Sequence, residues 1–155
     1  MNELGYQKFV IQQVFAAGGF AWKSNNRFLI GVADLMVKLP GYPCCALEVK
    51  KNKMPVKKDS VVLDVTPLQT LFLRNCAMAG MPAGVLSFLT TSKRKTDKSL
   101  VIPITSFPSD QMKDFEVGLV RSSSAKDHFY GHYNIHNEPG HLTVIEQIER
   151  FCRDF

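Results

Sequence analysis

The 155-residue chain is 45% hydrophobic, 21% charged and 10% aromatic, the balance of a globular protein rather than a disordered one, with room for one domain with an ordinary core or for a compact core plus an appendage of a few tens of residues. No stretch approaches the roughly 20 apolar residues of a membrane helix, and Met1 to Gly5 opens neither a basic nor an apolar leader, so a cytoplasmic chain with no membrane partner is expected. The net charge of +5 is uneven: residues 1–98 carry 14 Lys/Arg against 6 Asp/Glu, and residues 99–155 carry 5 against 8, so the first part is basic enough to favour a polyanion, nucleic acid before a membrane surface.

In chain order, Leu4, Phe9, Val10, Val14 and Phe15 recur at helical spacing until Gly18-Gly19, which predicts a first amphipathic helix over Glu3 to Ala17. Phe20 to Ser24 reads as a strand, 24–27 as a polar loop, and Val32 to Leu39 as a second strand. Pro40-Gly41-Tyr42-Pro43 is a turn, and Cys44 to Lys50 returns as the other arm of a hairpin. Val61 to Val65 is a short extended piece. Thr66-Pro67-Leu68-Gln69 has the form of a capping box with proline at the first helical position, and Leu68, Leu71, Phe72 and Ala79 supply an apolar face up to Gly80. Ala83 to Leu89 is a buried strand and Leu100 to Ile104 a further one. Ser106 to Phe115 could form a short helix, and Thr143 to Phe155 a closing helix. The four cysteines form no CxxC pair, so reduced, partly buried thiols are expected.

The chemistry sits on the hairpin. Side chains alternate along a strand, so Glu48 and Lys50 share one face. With the turn centred on Gly41, facing residues sum to 82, and Asp34 then lies across from Glu48. Two like charges opposite each other, flanked by Val32, Leu35, Leu47 and Val49, are unfavourable unless something compensates them. A hard divalent cation does so, since Mg²⁺ takes carboxylate oxygens, waters and phosphate oxygens. Lys50 beside it can orient a water and stabilise charge on a phosphate, the apparatus of phosphodiester hydrolysis. The plain alternative, a salt bridge of Lys50 with one acid, leaves the second acid unexplained.

These residues, Gly31-Val32-Ala33-Asp34-Leu35, Leu47-Glu48-Val49-Lys50 and Thr66-Pro67-Leu68-Gln69, resemble the PD-(D/E)XK nucleases, in particular their VRR-NUC and Holliday-junction-resolvase-like branch, over roughly residues 3–89. Ala33 stands where many members have proline, at a position that shapes the backbone and offers no ligand. The resemblance implies an α/β restriction-endonuclease-like core (α-β-β-β-α-β), a central mixed sheet flanked by helices, in residues 1–104, with 105–155 as an extension packing on it. It implies Mg²⁺, replaceable by Mn²⁺, on Asp34, Glu48 and the Val49 carbonyl, with Glu3 as the only acid on the first helix, Lys50 assisting the water and Gln69 near the site. It further implies a homodimeric endonuclease acting on branched or double-stranded DNA in recombination or repair. A nickase or exonuclease and a catalytically silent DNA-binding module are the alternatives. A phage origin, which would place the chain in the host cytoplasm, is compatible with its small size.

Arg27, Lys51, Lys53, Lys57, Lys58, Lys93, Arg94 and Lys95 suit phosphate contacts, with solvated loops as the bland reading. His128, His132 and His136 have helical zinc spacing, but Phe129-Tyr130-Gly131 and Tyr133-Asn134-Ile135 around them read as strand or loop, which argues against zinc.

Overall fold

The computed structural model describes residues 1–24, 31–53, 60–90, 96–106, 129–134 and 142–155. Helix α1 (Glu3–Ala16) is capped by Asn2, whose side chain accepts from the Gly5 amide at 2.9 Å. Strands β1 (Phe20–Lys23), β2 (Leu35–Lys38) and β3 (Cys45–Lys53) follow, then β4 (Ser60–Val65), α2 (Pro67–Met78), β5 (Ala83–Thr90), β6 (Thr96–Pro103), a 3₁₀ turn (Ile104–Ser106), β7 (Phe129–Asn134) and α3 (Val144–Asp154).

Five strands form one mixed sheet in the order β1-β2-β3-β5-β6, with β4 and β7 as a separate antiparallel pair. The β2–β3 hairpin has the register expected from its turn: Leu35 faces Leu47, Met36 faces Ala46 and Val37 faces Cys45. Gly41 carries the positive φ (79°) that the turn requires. Strands β3 and β5 run parallel, with Glu48 beside Val85 and Lys50 beside Ser87. Their connection must carry the chain back across the sheet, and α2 does so, which places its first turn at the end of β3 that bears Glu48 and Lys50.

One sheet face packs against α1 and α3 through Val10, Val14, Leu35, Leu47, Leu86 and Ile148; the other packs against α2 through Ala46, Leu73, Val85, Leu100 and Ile102. Both helical stripes differ from the expected ones. On α1 the buried line is Tyr6, Val10 and Val14, while Leu4, Phe9 and Phe15 are exposed. The Tyr6 ring stacks on Phe88, centroids 4.2 Å apart, and this contact turns the helix. On α2 the buried line is Thr70, Leu73 and Cys76, with Leu68, Leu71 and Phe72 only partly buried. Strand β2 starts at Leu35 instead of Val32, for a reason that lies in the site. All four cysteines are free thiols, three of them buried. Among the described residues no helix is long and apolar enough to cross a membrane.

Candidate active site

Asp34 occupies a bend just before β2, and Glu48 and Lys50 project from β3. Continuing the hairpin register by one residue puts Asp34 opposite Glu48. The Asp34 carboxylate turns onto β3, where Oδ2 accepts the Val49 amide N–H at 2.9 Å, and its carbonyl accepts from the Ser24 amide at 3.1 Å. Its side chain is thus engaged across the hairpin at the point where β2 would otherwise have begun. Leu35, Leu47 and Val49 around it are fully buried.

Glu48 is 2% exposed, an unusual state for a carboxylate. Its Oε1 accepts from Gln69 Nε2 at 2.5 Å and lies 3.8 Å from Lys50 Nζ. Its Oε2 is buried with no hydrogen-bond partner among the described residues. Burial first, then the negative charge of Asp34, raise its pKa to about 8, with Lys50 pulling the other way. An unpartnered carboxylate oxygen next to a second acid is a hard donor set awaiting positive charge, and it fits Mg²⁺ or Mn²⁺ by ligand type.

Gln69 reaches Glu48 because of how α2 begins. Thr66 Oγ1 accepts from the Gln69 amide at 3.3 Å, and Gln69 Oε1 accepts from the Thr66 amide at 2.9 Å, the reciprocal pair of a capping box. With its oxygen tied to the backbone, the Gln69 amide presents Nε2 to Glu48 in a fixed orientation.

Asp34, Glu48, Lys50 and Gln69 are therefore brought together. Glu3 lies at the start of α1, where Oε1 accepts from the Lys51 amide at 3.4 Å. This is the same end of β3, but among the described residues no three metal-capable side chains converge. Val49 contributes its N–H to Asp34. Lys51 and Lys53 are exposed on the last residues of β3. Arg27, Lys57, Lys58, Lys93, Arg94 and Lys95 lie outside the described residues. So do His128 and His136; His132 stands on β7 opposite Val62.

Two contributors escaped the sequence reading. Gly31 has φ +86° and lies so close to α2 that a Cβ there would meet Leu68 Cβ at 2.5 Å. Ser24 supplies the backbone N–H that fixes Asp34. A glycine three residues before the acid is a visible signal for the first, whereas a backbone contact has none.

No family model and no characterised protein matches the sequence. Among solved structures, the fold is similar to Hjc, a Holliday junction resolvase from the archaeal hyperthermophile Archaeoglobus fulgidus, with a TM-score of 0.54 at 16% identity over 94% of this chain and 98% of that one. A bacterial homing endonuclease gives a TM-score of 0.41 at 13% identity over 99% of this chain and 94% of that one, too low to carry an argument. The first likeness establishes the fold: the mixed sheet and its flanking helices are the restriction-endonuclease-like architecture that the motif led one to expect.

Proposed function

We propose that the chain is a metal-dependent DNA endonuclease that hydrolyses phosphodiester bonds in branched or otherwise structured DNA, as a homodimer whose two sites cut two strands. The observation that carries the reading is the buried Glu48 beside Asp34, with one oxygen on Gln69 and the other unpartnered. The similarity of the fold to a Holliday junction resolvase supports the substrate class by analogy. The surplus of Lys and Arg in residues 1–98 suits a polyanion.

Asp34 and Glu48 would hold the cation, with the Val49 carbonyl and Glu3 as further oxygen donors; when bound, Mg²⁺ polarises the scissile phosphate and offsets charge developing on it. Lys50, on the same strand face as Glu48 and 17% exposed at its side chain, holds the attacking water and screens a phosphate oxygen with its ammonium. Gln69 keeps the Glu48 carboxylate in one orientation so that its free oxygen faces the reaction, and Thr66 does the same for Gln69. Lys51 and Lys53 continue the positive charge outward along β3 to the DNA backbone.

The test is cleavage of labelled linear duplex, single strand, flap and four-way junction with Mg²⁺ or Mn²⁺, comparing wild type with Asp34→Ala and Glu48→Ala. The expected result is wild-type cutting with preference for a branched member and variants that bind but do not cut. Cutting from ends only would assign an exonuclease, and DNA binding that persists in EDTA with no cutting under any metal would assign a silent binding module.

A further inference from the structure

The sheet face that carries the carboxylates continues beyond them to the edge strand. Strand β1 is the outer strand of the described sheet, with Trp22 facing Met36 and Phe20 facing Lys38. Met36 in turn faces Ala46, which is buried on the α2 side. Cross-strand partners project to the same face, so Trp22, Met36 and Ala46 form one row on that side. The next row, two residues along and about 7 Å away, is Ser24, Asp34 and Glu48. Trp22 is therefore the neighbour of the acidic pair on the active-site face.

This end of the face is partly open. Ala46 and Val85 are fully buried on the α2 side, yet Trp22 is 43% and Phe20 55% exposed. The two rings lie 5.6 Å apart and tilted by 45°, and Phe20 also meets Phe15 of α1 edge to face at 5.7 Å, so Trp22 offers the more open ring. Exposed Lys38 faces Phe20 across the strands, and no acid occurs in sequence between Glu3 and Asp34. Flat apolar rings beside the Lys38 ammonium, which also donates to the Leu39 carbonyl at 2.9 Å, with no acid in sequence between Glu3 and Asp34, match the two needs of a single-stranded nucleic acid: stacking for its bases and positive charge for its phosphates. A two-fold copy of the chain fits less well, because an isologous contact would bring Lys38 of each copy to a patch whose own sequence from Gly5 to Ala33 holds no acid.

We propose that Phe20 and Trp22 form a stacking shelf for unpaired nucleobases, one row from Asp34 and Glu48, which seats the single-stranded part of a structured substrate beside the cutting site. The shelf takes its role as a substrate subsite from the nuclease reading, but its binding is measurable without cleavage. Trp22 is the sole tryptophan, so its emission reports on its own face. In EDTA, a short oligothymidylate should quench that emission and a blunt duplex of the same length should quench it far less. By anisotropy of a dye-labelled oligothymidylate, Trp22→Ala should bind about tenfold more weakly while Trp22→Phe retains most of the affinity, and duplex binding should change little in either. Absence of quenching together with equal oligothymidylate affinity for wild type and Trp22→Ala would overturn the shelf. A wild type that is dimeric by light scattering where Trp22→Ala is monomeric would also overturn it and assign the patch to contact between copies. Quenching and tenfold weakening in a protein that cleaves nothing would leave the shelf standing and remove only the nuclease reading.

Discussion

Helices α2 and α3 open with the same device and use it differently. In both, a threonine caps the helix and the residue three positions on returns the bond: Thr66 with Gln69 at 2.9 and 3.3 Å, Thr143 with Glu146 at 3.2 and 3.2 Å. Glu146 is exposed, and its carboxylate only accepts, so the motif ends there as a helix start. Gln69 is an amide, so after accepting from Thr66 it still has donors, and one of them holds Glu48. The difference shows that a local signal acquires a distant task when the residue chemistry leaves a hydrogen over and the topology aims it at a buried partner.

The largest expected effect tests how dry the Gln69 partner is. With its pKa raised to about 8 from 4.5, Glu48 stays neutral in the fold at pH values where the unfolded chain ionises it. Its contribution to stability is therefore complete below pH 4.5 and declines, by on the order of 5 kcal/mol, as pH rises to about 8. Urea unfolding in EDTA across this range should show the decline, and Glu48→Gln should flatten it; a flat wild-type profile would mean that Glu48 is solvated. Since a cation competes with the same proton, Mn²⁺ should bind more tightly as pH rises towards 8.

Exchanging the two third residues sharpens the contrast. Gln69→Glu keeps the cap but replaces the donor by a charge facing Glu48, and cleavage should fall by at least about a hundredfold, with Gln69→Ala costing between about ten- and a hundredfold. Glu146→Gln, the reverse exchange, should leave single-turnover rates unchanged. Equal effects at the two helices would remove the distinction. The smallest effect is expected for Thr143→Ala, about 1 kcal/mol of stability in a thermal or urea melt with the cleavage rate intact.

Much of this was legible before the structure. The Pro-Gly turn dictated the hairpin register, and with it the pairing of Asp34 and Glu48; Thr66-Pro67-Leu68-Gln69 announced the start of α2; the apolar run from Ala83 announced a buried strand. What could not be read was set by distant partners. The apolar residues of α1 and α2 point in more than one direction, and only contacts such as Tyr6 with Phe88 choose among them. Strand β3 runs on through Lys53 because β5 offers Thr90 as a partner, although Lys51, Asn52 and Lys53 have poor strand propensity. The pairing of β4 with β7 joins segments far apart in sequence and leaves no local trace. Phe20 and Trp22 read only as part of a first strand, and it is the edge position of β1 that exposes them.

Gly31 sets a limit that polarity does not reveal. Its Cα hydrogens occupy space against Leu68 that admits no methyl group, since a Cβ would also meet the Leu68 carbonyl carbon at 2.8 Å. The segment leading to one acid and the helix that steadies the other are thus wedged together with no free volume between them. A descendant of this sequence could retain every acid, lysine and amide of the site and still lose the alignment between them by acquiring a single carbon atom at position 31.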